Sequence, residues 1–549
     1  MRTPAALVVL ILTFALGAAA PASAEIPPDA TWTETYFESF DGTKLHADVL
    51  LPKDLPAGGE VPIILTVSPY TNHLAEATTI KPEGGPSNRF YDFLEASDAL
   101  KRGYGYVMVD LRGFGGSAGC NDWGGPGERG DVKSAVEWVA EQPWSTGKVA
   151  LFGKSYDAWT GLMGLVEQPK GLAAVISMEP VFSGYLYGYS NRVRFSNSVL
   201  TPTLFTAIDA FPGHPNDTPE YHVNGNTRVP ACYAQNIGLQ QQEEETAPFW
   251  LERDLVRAIK TVPDQAPLFL TQGFLETNTK PEKAFEFWNS VTNPGSRAWF
   301  GQFDHVRGYE KAGTRFQTGR DTFVAEAMRF LDEHLKGIAP AVEDPRVEVQ
   351  DSDGRWRAES AFPPADTVRS TFSLRGGSYT DDNSTSTTGG GGIWTISQAL
   401  PYAVQLSGAG LARVKVTNTV PRANLVVNVY DIGPDGRAMH VSRGAWMLDG
   451  RGVAEFETYG QDWVFKPGRR IGILVSSSNS DWWVHVPTRQ TVQVEGGSWT
   501  APFKTVKPTA YLTGGSTPRL EGHKGQLRTV SAETIAAAET QFPLPGPLG

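Results

Sequence analysis

Short apolar runs alternate with amphipathic stretches between Thr31 and about Glu179. This rhythm is typical of parallel strands connected by helices. Asp131 is placed to cap a helix, because apolar residues follow it at helical spacing. The predicted strands are Val61–Val67, Tyr106–Leu111, Val149–Gly153 and Ala173–Met178.

The rhythm stops at about residue 181 and returns at about residue 267. The intervening residues 181–266 are rich in Tyr, Asn, Pro, Gln and Glu, which indicates an inserted cap of helices and loops. Strands are predicted again at Pro267–Thr271 and Ala298–Phe303, and a closing helix at Thr322–Leu335. The pattern therefore predicts one α/β domain made of residues 25–180 and 267–340.

Beyond Ala339 the sequence changes to Gly, Ser, Thr and Val with alternating apolar and polar positions. Arg413–Val416 and Leu425–Val429 are examples. Regularly spaced short strands predict a β-sandwich over residues 341–545, with the Gly389–Gly392 run as one of its loops.

The N-terminus has the pattern of a secretory signal peptide. Arg2 precedes the apolar run Ala5–Ala20, and Ala22-Ser23-Ala24 fits a cleavage site. An uncleaved anchor is the alternative, but the run is short for a bilayer span. We predict removal of residues 1–24, export of the protein, and no membrane association after cleavage.

The 549 residues carry a net charge of −12 at pH 7, which argues against a nucleic-acid partner. Cys120 and Cys232 are the two cysteines of the chain. In an exported protein such a pair favours a disulfide bond, with two buried thiols as the alternative.

Ser155 is the candidate nucleophile. It follows the predicted strand ending at Gly153 and precedes apolar positions at helical spacing, as expected for a serine on a strained strand-to-helix turn. The second glycine of the G-x-S-x-G pattern is replaced by Asp157, so this motif alone is weak.

Two further residues occur in the order that an α/β-hydrolase requires. A serine hydroxyl needs an imidazole as base and a carboxylate that orients the imidazole. Glu276 and His305 each follow a predicted strand, where functional residues collect in open α/β sheets. Asp304 is the competing acid, but we interpret it as a surface loop residue. Among the other histidines, His73 is the strongest alternative candidate for the base, because it follows Pro69-Tyr70.

Several motifs together resemble the cocaine esterase and X-prolyl dipeptidyl-peptidase family of serine hydrolases. The resemblance extends over nearly the whole mature chain. The motifs are Asp41–Leu45, Ser68–Tyr70, Asp110–Gly113, Gly153–Tyr156, Trp299–His305 and Phe330–Gly337.

The resemblance implies an α/β-hydrolase domain with a helical cap, followed by a C-terminal jelly roll. It also implies an oxyanion hole formed by the Tyr70 hydroxyl and the backbone N–H of Tyr156. Two positions depart from the family pattern, since Glu276 replaces an aspartate and Ala158 replaces a glycine.

The predicted reaction is hydrolysis of an ester or amide acyl bond in a small molecule or short peptide, without a metal or cofactor. Lys154 beside the serine resembles the prolyl-peptidase branch and slightly favours an X-prolyl dipeptidyl-peptidase, with a carboxylesterase as the alternative. Such a peptidase needs a carboxylate for the substrate's ammonium group, for which Glu179 and the run Glu243–Glu245 are candidates. A carboxylesterase needs only an apolar pocket. The candidates for its lining are Trp159, Phe182, Tyr185 and Tyr187.

A third hypothesis is a non-catalytic protein whose jelly roll binds glycan or cell-wall polymer. Its aromatic platform would consist of Trp446, Trp463, Trp482 and Trp483, although core packing explains these residues as well.

Overall fold

A computed structural model of the chain describes residues 26–74, 84–226, 230–382, 392–418, 421–479 and 481–549. The predicted signal peptide and most of the Gly389–Gly392 run lie outside these residues. None of the helices in the described part is long and apolar enough to cross a membrane.

The N-terminal half alternates strands and helices. Its strands are β1 (Ala30–Glu38), β2 (Lys44–Pro52), β3 (Val61–Ser68), β4 (Gly105–Asp110), β5 (Ser145–Lys154) and β6 (Leu172–Met178). Its helices are α1 (Tyr91–Ser97), α2 (Pro126–Ala140) and α3 (Tyr156–Glu167). Each predicted strand of this half coincides with an observed one to within a few residues.

A helical cap follows, as the loss of the βα rhythm predicted. It consists of α4 (Gly184–Gly188), the strand pair β7 (Tyr189–Ser190) and β8 (Val193–Arg194), α5 (Thr201–Asp209), α6 (Pro219–Asn226), α7 (Pro230–Leu239), α8 (Pro248–Leu251) and α9 (Leu255–Ala258). Two short 3-10 turns, Asn197–Val199 and Ile259–Thr261, complete it.

The chain then returns to the sheet. The elements are β9 (Leu268–Gly273), α10 (Ala284–Asn289), β10 (Arg297–Gly301), the hairpin β11 (Lys311–Ala312) and β12 (Arg315–Phe316), α11 (Phe323–Lys336), β13 (Val347–Gln350) and β14 (Trp356–Glu359). The sheet has ten strands in the order β1-β2-β4-β3-β5-β6-β9-β10-β13-β14. Neighbours from β4 to β13 are parallel, while the pairs β1-β2, β2-β4 and β13-β14 are antiparallel.

The C-terminal region is an all-β sandwich of two sheets. Its strands are β15 (Thr367–Leu374), β16 (Gly377–Thr380), β17 (Ile393–Ser397), β18 (Val404–Gly408), β19 (Leu411–Val416), β20 (Ala423–Ile432), β21 (Arg437–Leu448), β22 (Gly452–Glu457), β23 (Gln461–Phe465), β24 (Arg470–Ser476), β25 (Thr491–Lys504), β26 (Leu527–Thr529) and β27 (Glu539–Thr540). Helices α12 (Pro518–Gly525) and α13 (Ala532–Ala538) follow β25. One sheet has the order β22-β19-β25-β18-β23, with β15 and β16 also paired to β25, and the other has the order β26-β21-β20-β24-β17-β27.

Two predictions differ from the structure. Asp131 does not cap α2, because the helix begins at Pro126 and Asp131 lies buried within it. There it accepts hydrogen bonds from Ser39 and Arg112, so its carboxylate joins the helix to the sheet edge. The first sheet also continues past residue 340 through β13 and β14, which are too short and too polar at their ends to be recognised from the sequence.

The cap also packs against the sandwich. Phe195 stacks on Trp483 with ring centroids 5.6 Å apart, and Asn191 donates a hydrogen bond to the Ala445 carbonyl at 2.9 Å. These contacts place the sandwich beside the carboxyl edge of the first sheet, where the site lies.

Candidate active site

Ser155 lies at the sharp turn between β5 and α3, with φ 67° and ψ −122°. A non-glycine residue in this region is strained, as expected for a nucleophile held above a sheet. Gly153 makes the turn possible, because a Cβ at this position would approach the backbone carbon of Asp157 to 2.3 Å. The backbone N–H of Ser155 donates to the Met178 carbonyl at 2.9 Å, which fixes the turn to β6.

Asp157 occupies the position where the motif lacks its second glycine. It is buried and accepts hydrogen bonds from both Nε, at 2.9 Å, and Nη2 of Arg89. The Arg89 guanidinium in turn lies over the Tyr70 ring, 4.8 Å from its centroid. The departure from the motif thus builds a support for Tyr70, and sequence reasoning missed both Arg89 and this role of Asp157.

Tyr70 and Tyr156 both lie beside Ser155, as expected of the two donors that the resemblance implied. Burial, followed by the charge of Asp157, raises the pKa of the Tyr70 phenol, while a hydrogen bond with Ser155 acts in the opposite direction. A protonated phenol in this position is suited to donate a hydrogen bond. Tyr156 opens α3, where the first backbone N–H groups have no partner within the helix. Its own hydroxyl is fixed by donation to Glu128 Oε2 at 2.6 Å.

His305 and Glu276 meet after the ends of β10 and β9. Nδ1 of His305 lies 2.6 Å from Oε2 of Glu276, so Nε2 is the nitrogen left to accept a proton. Burial would raise the pKa of Glu276, but His305, followed by the Asn278 backbone N–H, lowers it to about 2. Thr279 Oγ1 adds a hydrogen bond to Glu276 at 3.1 Å. The structure thus brings the predicted base and acid together.

Asp304 is not a surface loop acid, contrary to our interpretation of the sequence. Its Oδ1 accepts hydrogen bonds from the backbone N–H of His305 at 2.9 Å and from that of Thr277 at 3.1 Å. Its other oxygen pairs with Nε of Arg519, in α12 of the sandwich, at 3.1 Å. Asp304 therefore links the loops that carry the base and the acid through hydrogen bonds. Its ion pair with Arg519 connects both loops to the sandwich.

Glu179 has no exposed surface, so the predicted contact with a substrate ammonium group does not fit its position. Its Oε2 accepts hydrogen bonds from the Gly273 N–H at 3.0 Å and from Gln272 at 3.2 Å. Burial and the charge of Glu276 raise the pKa of Glu179 well above its usual value. Glu179 therefore lies behind Glu276, in surroundings that favour its protonated form.

Two of the remaining carboxylate candidates are paired with arginine. Glu243 pairs with Arg422 and Glu244 with Arg192, whereas Glu245 is exposed. The two ion pairs include one between the cap and the sandwich, so these residues hold elements together.

The predicted pocket residues have different surroundings. Trp159 lies on α3 and packs on Tyr156 at 5.1 Å. Phe182 packs on Phe287 of α10, while Tyr185 stacks on Tyr189 within the cap. Sequence reasoning missed Phe205.

Phe205 lies on α5 with its ring centroid 4.9 Å from Tyr156 and 6.2 Å from Tyr70. Tyr187 borders the acid loop by donating to Asn278 Oδ1 at 3.1 Å. The apolar wall over the site is therefore aromatic and comes largely from the cap.

The four tryptophans of the binding-platform hypothesis do not form one surface. Trp463 and Trp483 are each 1% exposed. Trp463 donates to Asp431, Trp446 stacks on Phe456 and Trp483 stacks on Phe195. Packing accounts for these residues. The side chain of Cys232 lies outside the described part of the chain, so its pairing with Cys120 stays a prediction.

Comparison with known proteins places this site in a family. Residues 41–307 match the family model of the X-Pro dipeptidyl-peptidases (S15 family), and residues 341–520 match that of the X-Pro dipeptidyl-peptidase C-terminal non-catalytic domain. A Streptomyces avermitilis protein assigned by name to the Xaa-Pro dipeptidyl-peptidases is 25% identical over 467 residues, which are 74% of this chain and 64% of that protein. The chain thus spans less than two thirds of that relative's length.

In two further comparisons the match extends over a larger share of the compared protein. The cocaine esterase of a Rhodococcus species is 22% identical over 538 residues, 80% of this chain and 89% of the esterase. The structure of an α-amino acid ester hydrolase superposes with a TM-score of 0.68 at 18% identity, covering 89% of this chain and 98% of that one. The two family models together cover most of the sequence, and the chain therefore belongs to the cocaine esterase and X-Pro dipeptidyl-peptidase family of serine hydrolases.

Proposed function

We propose that this protein hydrolyses carboxylic esters through an acyl-enzyme, with Ser155 as nucleophile, His305 as base and Glu276 as the orienting acid. The hydrogen bond between His305 and the buried, ionised Glu276 carries the proposal. It fixes the imidazole tautomer that has a free electron pair on Nε2.

The reaction follows from the geometry of the site. Ser155 Oγ attacks the acyl carbon while its proton passes to Nε2 of His305. The oxyanion accepts hydrogen bonds from the Tyr70 hydroxyl and the Tyr156 N–H, and loss of one such donor costs about 3 kcal/mol of transition-state stabilisation. The protonated imidazole then gives its proton to the leaving alcohol, and water releases the acid by the same steps in reverse.

Ester substrates are favoured by the surroundings of the site. The wall formed by Trp159, Phe205 and Tyr187 suits an apolar acyl or aryl group. Three of the carboxylates considered for binding a substrate ammonium group are occupied, since Glu179 is buried beneath Glu276, and Glu243 and Glu244 are paired with arginine. An uncharged ester needs none of them.

Release of X-Pro dipeptides is the second candidate. It is supported by the printed descriptions of both matching family models and by the name of the Streptomyces avermitilis relative. On this alternative the substrate ammonium group is bound by a residue other than Glu179, Glu243 and Glu244.

Export and a Cys120–Cys232 disulfide are part of the same proposal. The signal-like N-terminus supports export, and N-terminal sequencing of the secreted protein is expected to begin at Glu25. A mass difference of two hydrogens between the oxidised and reduced protein is expected from the disulfide, and equal masses would contradict it.

Turnover of a short-chain aryl ester and of a glycyl-prolyl anilide distinguishes the two substrate classes. We expect ester hydrolysis that is lost in Ser155→Ala and retained in Ser196→Ala, which changes an exposed serine of the cap. Cleavage of the anilide would favour the dipeptidyl-peptidase instead. No turnover of either substrate, together with no labelling of Ser155 by a fluorophosphonate, would refute the catalytic proposal.

A further inference from the structure

Two histidines and an aspartate form a buried cluster away from Ser155. His46 and Asp48 lie two residues apart on β2 and therefore point to the same side of the strand. His73 reaches them from the loop after β3. One potential ligand atom from each residue lies within 4.8 Å of the other two, and all three residues are at most 3% exposed.

Each imidazole is oriented by a second carboxylate. Nδ1 of His46 lies 2.9 Å from Asp110 Oδ2, and Nδ1 of His73 lies 2.7 Å from Asp217 Oδ1. Hydrogen bonds of this kind place the proton on Nδ1 and leave an electron pair on Nε2. The same arrangement of carboxylate, imidazole and metal is usual at metal sites, where it fixes the ring and raises its basicity.

The two Nε2 atoms converge on Asp48. Nε2 of His73 lies 3.2 Å from Asp48 Oδ2, and Nε2 of His46 lies 4.0 Å from Asp48 Oδ1. Nε2 of His46 is buried and has no hydrogen-bond partner among the described residues. Electron pairs facing one another in a buried site repel unless a cation lies between them, and a buried polar atom without a partner is costly.

The surroundings hold the three residues in place. Trp32 Nε1 donates to Asp48 Oδ1 at 2.7 Å, and Tyr221 of α6 stacks on His73 with a centroid distance of 4.5 Å. Asp217 also belongs to the cap. The cluster thus joins β2, the loop carrying Tyr70, and the cap.

We propose that His46, Asp48 and His73 of the hydrolase domain bind a zinc ion, with Asp217 and Tyr221 of the cap packed against the ligand His73. Two imidazoles and a carboxylate suit zinc better than magnesium or calcium, which prefer oxygen ligands alone. Ligand atoms of a tetrahedral zinc site are about 3.4 Å apart, given zinc–ligand bonds of about 2.1 Å. The His73–Asp48 distance is close to this value, whereas the ligand atoms of the three residues lie as much as 4.8 Å from one another, so the His46 ring must move inward to bind the ion. Water completes the coordination.

The competing explanation is that two protonated histidines are neutralised by the three aspartates. In that case Nε2 of His46 would carry a hydrogen without an acceptor. Zinc binding removes this defect and the repulsion at Asp48 together, which is why we favour it.

The test uses the untagged full-length mature protein, stripped with a chelator and titrated with Zn²⁺. We expect one equivalent to bind, measured by elemental analysis and calorimetry, and an increase in the unfolding temperature. Co²⁺ is expected to replace Zn²⁺ and give the visible absorption of a tetrahedral site. No saturable binding of either metal to the folded wild-type protein would overturn the proposal.

Substitutions test which residues bind the metal. Asp48→Asn and His46→Ala should lose stoichiometric Zn²⁺, while His334→Ala, which changes a half-buried histidine on α11, should retain it. Asp217→Asn removes an orienting carboxylate and should weaken binding about 10- to 100-fold. If Asp48→Asn folds by circular dichroism and binds Zn²⁺ as well as the wild type, the proposal is wrong. If a variant fails to fold, the wild-type titration still decides.

Discussion

Two buried glutamates behind His305 have pKa values that are shifted in opposite directions. His305, followed by the Asn278 backbone N–H, lowers the pKa of Glu276 to about 2, whereas burial and the charge of Glu276 raise the pKa of Glu179 well above its usual value. At the scale of residues this difference bears on the orientation of the imidazole and on how stability responds to pH.

Glu276→Gln should lower kcat for an aryl ester by about four orders of magnitude, because an amide does not enforce the imidazole tautomer or stabilise the imidazolium. Steady-state kinetics on the folded variant measure this loss. Glu282→Gln is the control, since it changes a partly buried glutamate that accepts a hydrogen bond from Ser190 and does not contact His305. A fall of less than tenfold in Glu276→Gln would mean that another group orients the base.

Glu179→Gln should increase stability at alkaline pH. The raised pKa of Glu179 means that the folded state binds its proton more tightly than the unfolded chain, whose carboxyl has a pKa of about 4.3. The free energy of unfolding therefore falls as pH rises above that value, until Glu179 ionises in the folded protein as well. The glutamine variant lacks this decline. Denaturant titrations at several pH values should show the free energies of unfolding of the variant and the wild type diverging as the pH rises above about 4, with the variant the more stable.

Glu128→Gln tests a second buried carboxyl group. Burial, followed by the charge of Asp122, raises the pKa of Glu128 to about 8, the same direction as for Glu179. The two oxygens of Glu128 accept hydrogen bonds from three backbone N–H groups, of Asp122, Trp123 and Gly124, and from the Tyr156 hydroxyl. Glutamine keeps one of these oxygens and replaces the other with a donor, so two of the four donors lose their acceptor, and each unpaired buried donor costs about 1–3 kcal/mol. This variant should be less stable than the wild type at neutral pH, and equal or higher stability in denaturant titration would contradict the prediction.

The turn between β5 and α3 is the element most sensitive to added volume. Gly153→Ala places a methyl group 2.3 Å from the backbone of Asp157, and the free energy of unfolding should fall by about 3 kcal/mol, with loss of activity. Gly161→Ala on the same helix is the matched control. Its new methyl lies 3.2 Å from Val175 Cγ1, and the gain in helix propensity of up to about 1 kcal/mol offsets this contact.

The unfolding temperatures of both glycine variants test whether the turn tolerates a methyl group at residue 153. Similar unfolding temperatures for Gly153→Ala and the wild type would show that the turn can relax, and that the strain at Ser155 does not depend on Gly153.

Elements with strong periodicity could be predicted from the sequence, together with the order of Ser155, Glu276 and His305. Residues that act through long-range contacts could not. Asp304 looked like a surface acid because its partners, Thr277 and Arg519, are distant in sequence. Asp157 looked like a defect in a motif, since Arg89 and Tyr70 become its neighbours only after folding.

Glu179 was misplaced for the same reason. A carboxylate after a strand suits a pocket, and nothing local reveals that Gly273 and Gln272 surround it. The strands β13 and β14 likewise became part of the first sheet through pairing with β10, which no local pattern indicates.

At the scale of the whole molecule, Arg519 of the sandwich contacts the loops that carry the candidate catalytic residues. Arg519→Met removes the partner of Asp304 Oδ2, and the loops carrying Glu276 and His305 should lose their alignment. A displacement of this kind lowers kcat by about 10- to 100-fold. The unfolding temperature should change little, because the ion pair is about one third exposed on both sides.

Glu521→Gln is the control for this prediction. It breaks an exposed ion pair between the same helix, α12, and Arg315, and should leave kcat unchanged. Equal kcat values for Arg519→Met and the wild type would show that the sandwich stabilises the hydrolase domain without aligning its active site.

The position of Arg519 near the end of the chain has a consequence for synthesis. His305 is translated long before the residue that completes its support. A ribosome-bound or prematurely terminated product would therefore contain Ser155, Glu276 and His305 and still lack an aligned site. Enzyme activity measured in a crude culture would therefore report only molecules that contain Arg519. An antibody against the N-terminal half would detect the inactive fragments as well.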